Sequence, residues 1–113
     1  MTIRFSIAKQ FSRTPGGRLP EHGPNSGKEF RELVLPLVER AIAEGGAVEI
    51  SLDDIAGMPT AFIDEAFGGI VRALNVPFAK LEKHLHVTTS QKSLNPYVTL
   101  VYEYMQNAGK RAA

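Results

Sequence analysis

Four groups of residues in this 113-residue chain have types and spacings from which chemistry can be built. Asp64-Glu65 are adjacent carboxylates. On a helix, neighbours point about 100° apart, so they do not converge on one proton as an acid–base pair must. Carboxylates near a helix start are favoured by its dipole, and helix stabilisation or a partner contact is the expected role. Asp53-Asp54 follow an apolar strand and could hold a divalent cation with a distant third carboxylate, although turn chemistry explains them more simply. His84 and His86 share one strand face, a spacing that can hold a metal if a third ligand such as His22 arrives from elsewhere. Exposed histidines without a metal are the expectation. The run Gly23-Pro24-Asn25-Ser26-Gly27-Lys28 has the flavour of a phosphate loop. Its glycine spacing is one residue short of G-x-x-x-x-G-K-[ST], and Glu29 stands where the magnesium-binding hydroxyl belongs. What remains is a looser anion pocket built from Arg18, Ser26, Gly27, Lys28, Arg31 and the loop amides. No nucleophile, base and orienting group can be assembled from these parts. The expected molecule is not an enzyme and carries no cofactor.

The elements that position these residues follow from periodicity. Ile3, Phe5, Ile7, Lys9 and Phe11 alternate with Arg4, Ser6, Ala8 and Gln10, which predicts a strand with one buried face. Residues 12–27 form a loop rich in Gly, Pro and Ser, with a turn signal at Pro15-Gly16-Gly17 and room for a short second strand. Ser26-Gly27-Lys28-Glu29 has the form of a capping box. Phe30, Leu33, Val34, Leu37, Ala41 and Ile42 then recur at helical spacing, with Pro36 inside and Gly45-Gly46 at the end.

A strand over Ala47–Asp53 leads through a turn at 54–59 to a second helix, from Thr60 or Ala61 to Leu74. Thr60 is the expected N-cap. Gly68-Gly69 within that helix costs on the order of 1 kcal/mol per residue relative to Ala, which implies close packing on the sheet or on neighbouring backbone. Pro77–Lys83 predicts one or two helical turns, and His84–Thr88 a strand. Ser93-Leu94-Asn95-Pro96 starts a last helix with Pro96 in its first turn, and residues 109–113 should fray. Alternating strands and helices predict one layered α/β domain spanning 1–113, with helices packed on a mixed sheet of about four strands.

Composition narrows the function classes. The chain is 43% hydrophobic and 22% charged, within the ordinary globular range. Thirteen basic and 12 acidic residues leave a net charge of +1, which argues against a nucleic-acid binder. Arg72, Lys80, Lys83, Lys92, Lys110 and Arg111 make no dense basic run and read as a solvated surface. The chain has no cysteine, which removes disulfides and thiolate chemistry. No leader and no apolar run of about 20 residues is visible. The expectation is a cytoplasmic domain with no membrane or nucleic-acid partner.

Pro15-Gly16-Gly17-Arg18, Gly23, Ser26-Gly27-Lys28-Glu29-Phe30-Arg31 and Phe62-Ile63-Asp64-Glu65-Ala66-Phe67-Gly68-Gly69 together resemble the STAS-like domain of unknown function 4325. The last string is the most specific of these motifs. The resemblance implies a STAS-like fold, that of bacterial anti-sigma factor antagonists, which bind a GHKL-type ATPase kinase. Those proteins are switched off by phosphorylation at the start of the helix that follows the central strand. The Ser-Ser-Gly of that pattern is absent here, and Thr60 is the hydroxyl left as phosphoacceptor. The implied function is a regulatory protein-interaction module in bacterial signalling or partner switching. Its expected interface is Asp54, Thr60, Phe62, Asp64 and Glu65, with Thr60→Glu or Asp64→Arg weakening the partner. The alternative is an anion or nucleotide sensor using Arg18, Lys28 and Arg31.

Overall fold

The computed structural model describes residues 1–110. Strand β1, Thr2–Ser6, keeps the predicted alternation and then stops. Ile7–Gln10 is a single helical turn, started by the Ser6 hydroxyl accepting from the Lys9 amide at 3.2 Å. The expected strand out to Phe11 is therefore too long. Ile7 and Phe11 are four residues apart as well as in period-two register, so the same apolar pair suits a turn of helix.

The second strand after Pro15-Gly16-Gly17 does not form either. Residues 12–26 make a strap with one 3-10 turn at Pro20–His22. The strap's backbone groups pair with each other and with the start of the next helix. Gly16 N–H donates to Asn25 O at 2.8 Å, Gly27 N–H to Gly17 O at 2.9 Å and Lys28 N–H to Arg18 O at 3.1 Å.

Helix α1, Gly27–Glu44, begins at the predicted capping box. Ser26 accepts from the Glu29 amide while Glu29 accepts from the Ser26 amide. Its buried stripe is Phe30, Val34, Val38 and Ala41, and Pro36 lies on the exposed side. Strand β2, Ala47–Ser51, leads into helix α2 over residues 60–74. This helix is α-helical at Thr60–Ile63, π-helical at Asp64–Gly68 and α-helical again at Gly69–Leu74. A single turn, Phe78–Leu81, precedes strand β3, Leu85–Thr88. Helix α3, Asn95–Gly109, closes the described chain. Gly109 is inside this helix and buried, not frayed, because a Cβ there would lie 2.8 Å from the Phe78 backbone nitrogen. The Lys110 amide continues the pattern onto Gln106 O, and residues 111–113 of the expected frayed tail lie outside the described residues.

The sheet among the described residues has three strands, not four, and is parallel throughout, in order β1-β2-β3. With no hairpin in the strap, every strand-to-strand connection runs through a helix, and such crossovers give parallel neighbours. Ile3, Phe5, Val48, Ile50, Leu85 and Val87 face the helices. Thr2, Arg4, Glu49, His86 and Thr88 are exposed or half-buried on the other face. The core is centred on Phe30, whose ring meets those of Phe5, Phe11, Phe62 and Phe67 at centroid distances of 5.2 to 5.8 Å. The β3 edge is closed by α3, where the Tyr102 hydroxyl accepts from the outward Val87 amide at 3.0 Å. Among the described residues, no helix is long and apolar enough to cross a membrane.

Candidate functional site

The carboxyl ends of β2 and β3 are bound to one another by Asp53 and Asp54. Asp53 accepts from the Thr89 hydroxyl at 2.6 Å, the Ser90 amide at 2.7 Å and the Ser90 hydroxyl at 2.8 Å. Those bonds, the Thr89 hydroxyl foremost, hold its carboxyl below the ordinary aspartate range. Asp54 has left-handed backbone, φ 72°, and exchanges two hydrogen bonds with Gln91, at 2.7 and 3.0 Å. Its carbonyl accepts from Arg13 Nε at 3.1 Å. Both residues therefore do turn chemistry, and they tie the β2 end to the β3 end.

Thr60 lies on the rim of this edge. It is exposed and is the first helical residue of α2. It is not the N-cap. Pro59 holds that position with extended backbone and no side-chain cap bond, because Ile63 N–H closes the first turn on Pro59 O. Phe62, expected at a partner interface, is fully buried beneath Phe30 and Phe11. An apolar residue three positions into an amphipathic helix belongs to its core stripe.

Asp64 and Glu65 face neighbouring elements of the same chain. Arg18 from the strap donates to Asp64 Oδ2 at 2.6 Å, and Arg72 donates to Asp64 Oδ1 at 3.1 Å and to its carbonyl at 3.0 Å. Arg31 from α1 donates to the Glu65 carboxylate and, at 3.1 Å, to the Glu65 carbonyl. Arg18 also comes within 3.7 Å of Glu65. Burial alone would raise the Asp64 pKa, but the hydrogen bonds and charges of Arg18 and Arg72 prevail and hold it below the usual value. The Arg18 guanidinium is pushed up, chiefly by its bond to Asp64.

The geometry explains the tandem glycines. Gly68 follows Asp64 by four residues and Gly69 follows Glu65 by four, so each glycine leaves an empty slot one turn beyond an acid. Arg72 fills the first slot, since a Cβ on Gly68 would meet its Nη1 at 3.0 Å and Asp64 Oδ1 at 3.1 Å. Arg31 fills the second, with Nη1 2.7 Å from a Cβ on Gly69. The expectation that this pair packs against sheet or backbone is thus corrected, because what lies over it is guanidinium. The backbone approach occurs instead at Gly27, whose Cβ would stand 2.9 Å from Phe62 O and 3.1 Å from Ala66 N. The π turn lies at this junction, as such turns often do at functional positions.

The family described as "STAS-like domain of unknown function (DUF4325)" matches residues 26–95, more than half of the chain. The chain belongs to that STAS-like family. The match takes in Gly27, Arg31, Asp64, Glu65, Gly68, Gly69 and Arg72, while Arg18 lies before it and α3 beyond Asn95 lies after it. No curated protein and no solved structure matches the chain.

Within this STAS-like domain the predicted anion pocket is not assembled as an open site. Arg18 and Arg31 are bonded to Asp64 and Glu65. The amides of Gly16, Gly27 and Lys28 are bonded to carbonyls. Ser26 is buried as a cap, leaving Lys28 exposed and apart. The histidines do not converge. His22 Nδ1 accepts from Leu19 N–H inside the strap, His84 Nδ1 pairs with Gly46 O at 2.7 Å, and His86 lies on the open sheet face. Arg72 was hidden among surface cations. The signal that reveals it is an acid, a glycine and an arginine at successive intervals of four: Asp64, Gly68, Arg72.

Proposed function

We propose that this domain is a non-catalytic regulatory module that docks a protein partner through the carboxyl edge of its sheet, at Asp54, the 55–59 loop and Thr60. The partner suggested by the family is a GHKL-type ATPase or kinase, in a cytoplasmic bacterial partner-switching system. The supporting observation is the state of Thr60. It is exposed at the first position of a helix that has no side-chain cap. A phosphate there would bring about −1.5 to −2 charges. The uncapped amides of α2 would stabilise it locally, while the docking surface lost its charge and shape match.

Asp64 and Glu65 contribute to docking indirectly, by fixing α2 and the strap. The test is capture from the native host with wild type, Thr60→Ala and Thr60→Glu side by side, followed by phosphate transfer from ATP with the captured ATPase. A GHKL-type partner held by wild type and Thr60→Ala, and lost by Thr60→Glu, is the expected result. Equal retention by all three, or phosphate incorporated equally into Thr60→Ala, refutes the reading.

A further inference from the structure

A groove of about 440 Å³ opens beside the arginine–carboxylate cluster, lined by Asp64 and Arg72 of α2 and by Tyr104, Asn107 and Ala108 of α3. Small-ligand sites occupy roughly 300–1,000 Å³, so its size admits a small organic molecule. Its charged lining is one cation, Arg72, and one acid, Asp64, and both belong to the larger cluster. Three guanidiniums, those of Arg18, Arg31 and Arg72, surround two carboxylates, those of Asp64 and Glu65. One positive charge is left over. Of the three guanidiniums Arg72 is the one that lines the groove, and it holds Asp64 at 3.1 Å while Arg18 holds it at 2.6 Å.

We infer that this groove binds a small organic anion, with a phosphoryl or carboxylate group on Arg72 and its body against the α3 face that carries Tyr104 and Asn107. Arg72 is already oriented by its two bonds to Asp64, so little side-chain freedom is left to lose on binding. A guanidinium has five N–H donors, and those not bonded to Asp64 remain for a carboxylate or phosphoryl oxyanion. Asp64 is the acidic group in the lining. Each of its oxygens is already bonded to an arginine, which offsets most of its repulsion toward an anion.

On the opposite wall Tyr104, Asn107 and Ala108 fall at positions i, i+3 and i+4 of α3, which form one face. Tyr104 offers an aromatic surface and a hydroxyl, Asn107 an amide with donors and an acceptor, and Ala108 a floor without bulk. The Tyr102 hydroxyl on the same helix is taken by the Val87 amide. Among the described residues, no such bond takes that of Tyr104. This site is separate from the docking edge at Thr60, and its test does not depend on any partner.

The experiment is an NMR titration of isotope-labelled protein with phenyl phosphate, benzoate and inorganic phosphate, with phenol as the neutral control. Saturable shifts at Arg72, Tyr104 and Asn107 with phenyl phosphate or benzoate are expected, and the tighter of the two identifies the headgroup. Binding should weaken about tenfold or more, 1.4 kcal/mol per decade, in Arg72→Lys and in Asn107→Ala. Asn107 is exposed, so its variant should fold normally and serve even if Arg72→Lys does not. The inference is overturned if neither organic anion gives saturable shifts at the groove. It is equally overturned if Asn107→Ala binds as wild type does, or if phenol or inorganic phosphate matches the organic anions.

Discussion

Replacing Gly69 by Ala should destabilise this domain, although the same change in an ordinary helix interior stabilises by about 1 kcal/mol. A Cβ at position 69 would lie 2.7 Å from Arg31 Nη1 and 3.0 Å from its Cδ. Arg31 makes room by swinging its guanidinium away from position 69, which loosens its hold on the Glu65 carboxylate and carbonyl. The side chains of this pair are 21% and 17% exposed, so solvent screens it only in part. Hydrogen bonds to charged groups contribute roughly 1.5–3 kcal/mol. Less the helix gain, the net loss is about 0.5–2 kcal/mol, several degrees in Tm.

The decisive measurement is the same substitution in an Arg31→Ala background, by denaturant unfolding. All three atoms nearest the added Cβ belong to Arg31. Without that side chain, Gly69→Ala should become stabilising by about 1 kcal/mol, and the sign of the effect inverts. Gly27→Ala supplies the contrast. Its Cβ would press on Phe62 O and Ala66 N, so it should cost roughly 1–3 kcal/mol in either background. Stabilisation by Gly69→Ala in the wild type, or equal destabilisation in both backgrounds, would refute the arginine-slot account.

Acid should loosen the cluster in a defined direction. The folded-state pKa of Asp64 is lowered, so its contribution is fully present above the ordinary aspartate value of about 3.9 and is lost as pH falls through the folded value. Stability measured against pH should therefore fall less steeply below about pH 4 in Asp64→Asn than in wild type, and parallel curves would exclude the pairing as the cause. Tyr102→Phe should cost about 1 kcal/mol or more by leaving the part-buried Val87 amide without its acceptor. It should also speed hydrogen exchange at Val87, and unchanged exchange there would mean that the hydroxyl does not close the strand edge.

Much of the scaffold is readable from local pattern, and the misreadings arise where distant segments pair. Ser26 and Glu29 announce the start of α1 because a capping box is a contact within four residues. The strand and helix order follows from periods of two and 3.6. The hairpin expected at Pro15-Gly16-Gly17 fails because the strap pairs with the start of α1, through Gly17 and Arg18 carbonyls that no local rule connects to Gly27 and Lys28. The cluster was partly legible as a motif and illegible as a geometry. Arg18 and Asp64 are 46 residues apart, and Arg31 and Glu65 are 34. Arg72 reaches Asp64 eight residues back along its own helix, beyond the spacing at which helical side-chain pairs normally meet, because Gly68 leaves the path open.

That geometry also decides which substitutions can separate docking from folding. Asp64→Arg removes the acceptor of both Arg18 and Arg72 and adds a fourth guanidinium beside three. Like charges at that separation repel, and the strap that Arg18 anchors would be released from α2. Loss of a partner in that variant would follow from disorder near the sheet edge as readily as from a lost contact. Thr60→Glu carries no such ambiguity. Its side chain is exposed, and a carboxylate at the first helical position is favoured by the helix dipole by roughly 0.3–1 kcal/mol. The variant should melt at or slightly above the wild-type temperature. A partner lost by a protein that is no less stable would then have been lost at the surface, and a lowered melting temperature would refute the exposed, uncapped placement of Thr60 on which the docking reading rests.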